Sequence, residues 1–99
     1  MYLHIGGDTL VPVSAIVAVC DLDNASWALR TREFLRKMQE QGRVVSATDD
    51  LPKSFVLCEE NGVQTLYLSQ LNSATLLRRA ESGRFIDSDQ ARYYGKEKA

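Results

Sequence analysis

Asn61-Gly62 stands between two runs of β-forming residues, 54–59 and 63–69. A tight hairpin turn needs positive φ at its central residues, and Asn followed by Gly meets that demand at least cost. The dipeptide therefore predicts an antiparallel hairpin and commits the middle of the chain to sheet.

The first 22 residues read as three more short strands, 2–5, 9–13 and 16–22. Leu3 and Ile5 alternate with Tyr2 and His4, the period of a half-buried strand, and Gly6-Gly7-Asp8 makes a turn. Pro12 has no N–H to give a ladder, so the second strand is expected at an edge, bulged or cut short. Ile16-Val17-Ala18-Val19-Cys20 is apolar on both alternating faces, which predicts a central strand.

The period then changes. Trp27, Thr31, Phe34, Leu35, Met38 and Gly42 recur at spacings of three and four, predicting an amphipathic helix of about four turns. Asp23 or Asn24 is its expected N-cap, and Gly42 its stop. Glu33 and Lys37 form an i,i+4 pair, extended by Arg30 and Glu40. Arg32 and Arg36 are read as lacking an acidic partner at the right spacing. They make a small basic stripe, with Arg43 just beyond. Val44-Val45 opens another short strand, and residues 73–80 read as a two-turn helix with Ser73 as cap and Arg78 and Arg79 near its C-terminal end.

The expected order is β-β-β-α-β-β-β-α. It describes an α+β domain in which a small, mostly antiparallel sheet is covered by one long helix. At 99 residues, one domain is expected over 1–81, followed by a polar C-terminal appendage over 82–99.

Charge narrows the function. The chain carries 12 Lys+Arg against 13 Asp+Glu, which argues against a uniformly basic nucleic-acid sleeve. The near-balance is a cancellation of segments. Residues 26–45 carry +3, from Arg30, Arg32, Arg36, Lys37 and Arg43 against Glu33 and Glu40, and residues 63–80 carry +2 from Arg78 and Arg79. Residues 46–62 carry −3, including Asp49 and Asp50. The start has no basic targeting region, and the longest apolar run, 15–20, is too short for a bilayer, so a soluble, cytoplasmic protein with no membrane partner is expected.

Catalytic patterns fail residue by residue. Asp21-Leu22-Asp23 follows a strand, but a phosphotransferase motif wants Thr where Ala25 stands, and a calcium loop wants Gly at Ser26 and Glu at Arg32. His4 is the single histidine and has no flanking motif, so it reads as an exposed strand residue. Cys20 and Cys58 close apolar runs and read as structural hydrophobes. No catalytic residues, cofactor, metal or small-molecule substrate are expected.

Met1-Tyr2, His4-Ile5-Gly6, residues 14–19, Pro52-Lys53-Ser54-Phe55-Val56 and Tyr67-Leu68-Ser69 followed by Ser73, Thr75, Leu76 and Arg79 resemble, in that order, the RemA/RemB family of bacterial extracellular-matrix regulators. The likeness is closer to the RemB (YaaB-type) branch. It covers roughly residues 1–80. For the RemA branch the resemblance implies a cytosolic, ring-shaped homo-oligomer that binds double-stranded DNA and activates biofilm-matrix genes. Arg79 matches that branch's final helix arginine, with Arg78 beside it, and Lys53 keeps one base of its arginine-rich loop. Ala15 takes the place of an arginine, and Asp49 and Asp50 stand where the RemA branch is basic.

The expected function is therefore a non-enzymatic, homo-oligomeric, DNA-binding transcriptional regulator of matrix genes, touching phosphates through Lys53, Arg78 and Arg79 with Arg32 and Arg36. The alternative is an interaction or scaffold module of the same fold that does not bind DNA.

Overall fold

The computed structural model describes residues 1–22 and 29–81, with side chains of 29–31 left aside. In chain order the elements are β1 (Tyr2–Gly6), β2 (Thr9–Pro12), a 3-10 turn (Val13–Ala15), β3 (Ile16–Asp21), α1 (Leu29–Glu40), β4 (Val44–Ser46), β5 (Ser54–Glu60), β6 (Val63–Ser69) and α2 (Ser73–Glu81).

The Asn-Gly hairpin forms as its chemistry requires. Glu60 pairs with Val63 across the turn, and Asn61 and Gly62 both take positive φ, 52° and 78°. β5 and β6 then run antiparallel for their full length. In β1, Leu3 and Ile5 are buried while Tyr2 and His4 are only half-buried, so the period-2 reading holds. Its turn needs glycine at position 7, where φ is +50° and an added Cβ would stand 3.0 Å from the Ala47 carbonyl oxygen.

Two expectations about the sheet are corrected. The strands form two sheets, a β1-β2 hairpin and a four-stranded sheet of order β3-β5-β6-β4, and two helices cover them. A single sheet under one long helix is therefore not the architecture. The hydrophobic clusters show three layers. Phe34, Leu35 and Met38 of α1 pack with Phe55, Leu57, Leu66 and Leu68 on one face of the larger sheet. On the other face, Leu3, Ile5 and Val11 of the hairpin and Leu76 of α2 pack with Val56, Cys58 and Tyr67.

The second correction concerns β3, which is an edge strand, whereas β5 and β6 are interior. Its apolar run arises because Ile16 and Val19 join one cluster and Cys20 the other, while Val17, beside a register shift, is 58% exposed. Alternating burial reports how many faces are covered and carries no information about lateral position in the sheet. The sheet is also not wholly antiparallel. β4 pairs with β6 in parallel, so β3 and β4 run the same way at opposite edges and α1 is the crossover between them.

Buried polar groups stitch the layers together. Ser54 and Ser69 are fully buried on the larger sheet. The Ser69 hydroxyl donates to the Ile5 carbonyl of the hairpin and accepts the Leu71 N–H at 3.0 Å, and Ser54 donates to the Leu71 carbonyl at 2.6 Å. Burying a hydroxyl is tolerable only with such partners.

At α1 the expected cap, Asp23 or Asn24, and the stripe residue Trp27 lie outside the described residues, as do the side chain of Thr31 and the appendage 82–99. The helix ends where expected, with Gly42 at φ +70° and Arg43 N–H on the Met38 carbonyl at 2.9 Å.

Candidate nucleic-acid interface

α2 forms where its residues allow it. Asn72, and not Ser73, is the N-cap: its Oδ1 accepts the Thr75 N–H at 2.8 Å. Ser73 instead turns its hydroxyl toward Asp21 Oδ2, at 3.5 Å. Leu76 is fully buried and fixes which face of the helix meets β1 and β3. Arg78 and Arg79 fall in the last turn, where cations suit the negative end of the helix dipole.

The two arginines differ. Arg78 is exposed. Arg79 is half-buried and reaches across to β1, where its Nη1 donates to the His4 carbonyl oxygen at 3.1 Å and lies 3.3 Å from His4 Nδ1. His4 Nε2 lies 2.6 Å from the Gly7 carbonyl oxygen. His4 is thus a half-buried, hydrogen-bonded residue, which corrects its reading as an exposed one. Sequence gave no warning of the contact, which joins residues 75 positions apart.

Lys53 is exposed on a fixed stretch of backbone: its N–H donates to the Ser69 carbonyl at 2.8 Å and its carbonyl accepts the Leu22 N–H at 2.8 Å. The neighbouring Ser54 is bonded to Leu71, so Lys53 stands by the chain that leads into α2. Arg78 and Arg79 are five and six residues into that helix from Ser73, roughly 8 Å along its axis.

Arg32 and Arg36 are not brought to this surface. They lie on α1, across the larger sheet from α2. The structure also corrects the reading of Arg36 as unpaired, since its Nη1 sits 2.8 Å from Glu40 Oε1 in an i,i+4 ion pair. With side chains 63% and 61% exposed, the pair is well solvated.

The acidic loop lies elsewhere. Asp49 and Asp50, with Gly7, Thr9, Ser46, Thr48 and Gln70, line an open polar depression of about 530 Å³. The loop is held in shape by Thr48 Oγ1 donating to Gln70 Oε1 at 2.7 Å and accepting the Asp50 N–H at 2.9 Å. Two exposed carboxylates there repel phosphate.

The cysteines carry no activated nucleophile. Burial, with the nearby Glu60 charge adding to it, pushes the Cys58 thiol up to about 11, and burial also raises Cys20. Among the described residues no helix is long and apolar enough to cross a membrane, and no cluster of three metal-binding side chains occurs.

Residues 2–80 match the family model for RemA-like proteins, described as extracellular matrix regulatory protein A-like. The chain is also 38% identical over 88 residues to extracellular matrix regulatory protein B of Bacillus subtilis (strain 168), an alignment covering 89% of this chain and 100% of that relative.

Proposed function

The chain belongs to the RemA-like family, and from that membership we propose that it is a non-enzymatic regulator of bacterial extracellular-matrix genes that works by binding double-stranded DNA as a homo-oligomer. Phosphates are met by Arg78 and Arg79 in the last turn of α2 and by Lys53, whose backbone is held beside the start of β5. The observation that carries this reading is the last turn of α2, where an exposed guanidinium stands beside one anchored on β1. A guanidinium held in place loses less side-chain entropy on meeting a phosphate.

One protomer presents few cations. Repeating the patch around an oligomer multiplies its effective concentration along a duplex, so a near-neutral protomer can still bind firmly. Arg32 and Arg36, on the opposite face, contribute only where assembly lays that face beside the DNA as well.

A scaffold role without DNA binding is the second reading. It is favoured by Asp49 and Asp50, which make one rim of the molecule acidic. The two readings separate in a fluorescence-anisotropy titration of duplex at several salt concentrations, run beside light scattering for mass. Binding that weakens steeply with salt supports the first reading, and Lys53→Ala with Arg79→Ala should then flatten the salt slope by about 0.9 per lost contact. A flat trace at low salt from a confirmed oligomer leaves the scaffold reading.

A further inference from the structure

Of the chain's three asparagines, Asn24 lies outside the described residues, and Asn61 and Asn72 are both exposed. What holds them differs. Asn72 caps α2: its Oδ1 accepts the Thr75 N–H at 2.8 Å, and the residue after it, Ser73, carries a side chain. Asn61 lies at the tip of the β5-β6 hairpin, and no contact among the described residues engages its side-chain amide. The next residue is Gly62, also exposed, and the space where its Cβ would stand has nothing within 4 Å. Its N–H takes no part in the described backbone hydrogen bonds outside the ladder. The turn that makes the hairpin therefore sets a free carboxamide next to a main-chain nitrogen that no side chain shields.

We propose that Asn61 is a site of covalent modification: its side chain closes on the Gly62 nitrogen and reopens as aspartate or isoaspartate, and the isoaspartate form undoes the turn. The Gly62 nitrogen bonds to Asn61 Cγ, the Cγ–Nδ2 bond breaks, and Nδ2 leaves as ammonia with the proton that Gly62 gives up through solvent. The product is a five-membered imide. Water then opens the ring. Attack at the former side-chain carbonyl gives aspartate, and attack at the main-chain carbonyl gives isoaspartate, whose chain runs through Cβ and Cγ. The sum is one water consumed and one ammonia released, with no change of oxidation state.

The two products act differently on the fold. Aspartate keeps the length of the loop and tolerates positive φ, so it adds a carboxylate beside Glu59 and Glu60 and little else. Isoaspartate puts an extra methylene into the main chain of a two-residue loop whose pairing of Glu60 with Val63 depends on φ of 52° and 78°. That pair then opens, and with it the wall of the small pocket where Asn61, Glu60 and Val63 stand over Cys58 and Tyr67. Lys53 is at the other end of β5, seven residues and roughly 23 Å away, so the proposal stands or falls apart from the DNA-binding reading.

The test keeps the full chain, folded, in mildly alkaline buffer, for the time that the same chain unfolded in urea needs to convert its Asn-Gly bond. Peptide mapping by mass spectrometry should find a gain of about 1 Da at residue 61 and none at Asn72. A protein isoaspartyl methyltransferase, supplied with S-adenosylmethionine, should label the aged chain and leave fresh chain unlabelled. Two variants serve as controls. Asn61→Gly accepts the positive φ and removes the carboxamide, so it should stay unlabelled and unchanged in mass. Asn61→Asp is the product without the extra methylene.

The cross-strand NMR contact between the Glu60 and Val63 backbones supplies the structural arm. It should persist in fresh wild type and in Asn61→Asp, and be lost in the labelled, isoaspartyl fraction. A folded chain with no gain at residue 61 while the unfolded chain converts, or with Asn72 converting as fast as Asn61, overturns the proposal. So does an isoaspartyl fraction that keeps the Glu60-Val63 contact.

Discussion

The two faces of the four-stranded sheet are covered by different means. On one, α1 lays Phe34, Leu35 and Met38 on the sheet, and its described ion pair, Arg36 with Glu40, stays within the helix. On the other, the β1-β2 hairpin and α2 are joined to the sheet and to each other by Ser69 on Ile5, Ser54 on Leu71 and Arg79 on His4. Both faces carry arginines. On the second, tertiary structure decides what Arg79 does, because its described partner, His4, lies on another element.

The sharpest way to break this contrast is to loosen α2. Leu76→Ala removes a fully buried side chain and should cost about 3 kcal/mol in chemical denaturation. A loss below about 1 kcal/mol would mean that α2 is not docked as described. Alkaline pH should act next, through Cys58. Its thiol titrates at about 11 in the fold against 9.0 ordinarily, so the unfolded chain loses its proton first. Stability is then intact below pH 9.0 and declines up to about 11, by on the order of 2 kcal/mol. The measurement is the stability difference between wild type and Cys58→Val across that range, and a constant difference would refute the assignment.

Ser69→Ala should cost about 1–2 kcal/mol, because it takes a partner from the buried Ile5 carbonyl and from the part-buried Leu71 N–H. An effect no larger than that of an exposed serine such as Ser46 would show the stitch to be idle. The smallest effect compares the faces directly. Arg79→Ala should weaken duplex binding several-fold, whereas Arg36→Ala, whose charge is offset by Glu40, should change it by less than about twofold. Equal losses would place both helices against the nucleic acid.

Much of this was legible beforehand. The hairpin at Asn61-Gly62, the alternation in β1, the helix over 73–80 and the family resemblance all hold. Arg78 and Arg79 fall in the last turn of that helix, where the reading of 73–80 put them. The cap at Asn72 was missed by one residue, since Ser and Asn are both good N-caps and only geometry chooses between them. Arg36 was read as unpaired although Glu40 lies four residues on, and spacing alone could have found that pair.

The remaining errors share one cause. Turn dihedrals and side-chain period are set within a few residues, so the amino-acid sequence determined the elements and their buried faces. It did not determine how many layers those faces meet, that β3 lies at an edge, or that Arg79 would find His4. Those outcomes depend on which distant strands and helices share a core, and a pattern read along the chain holds no term for contacts made across 75 residues.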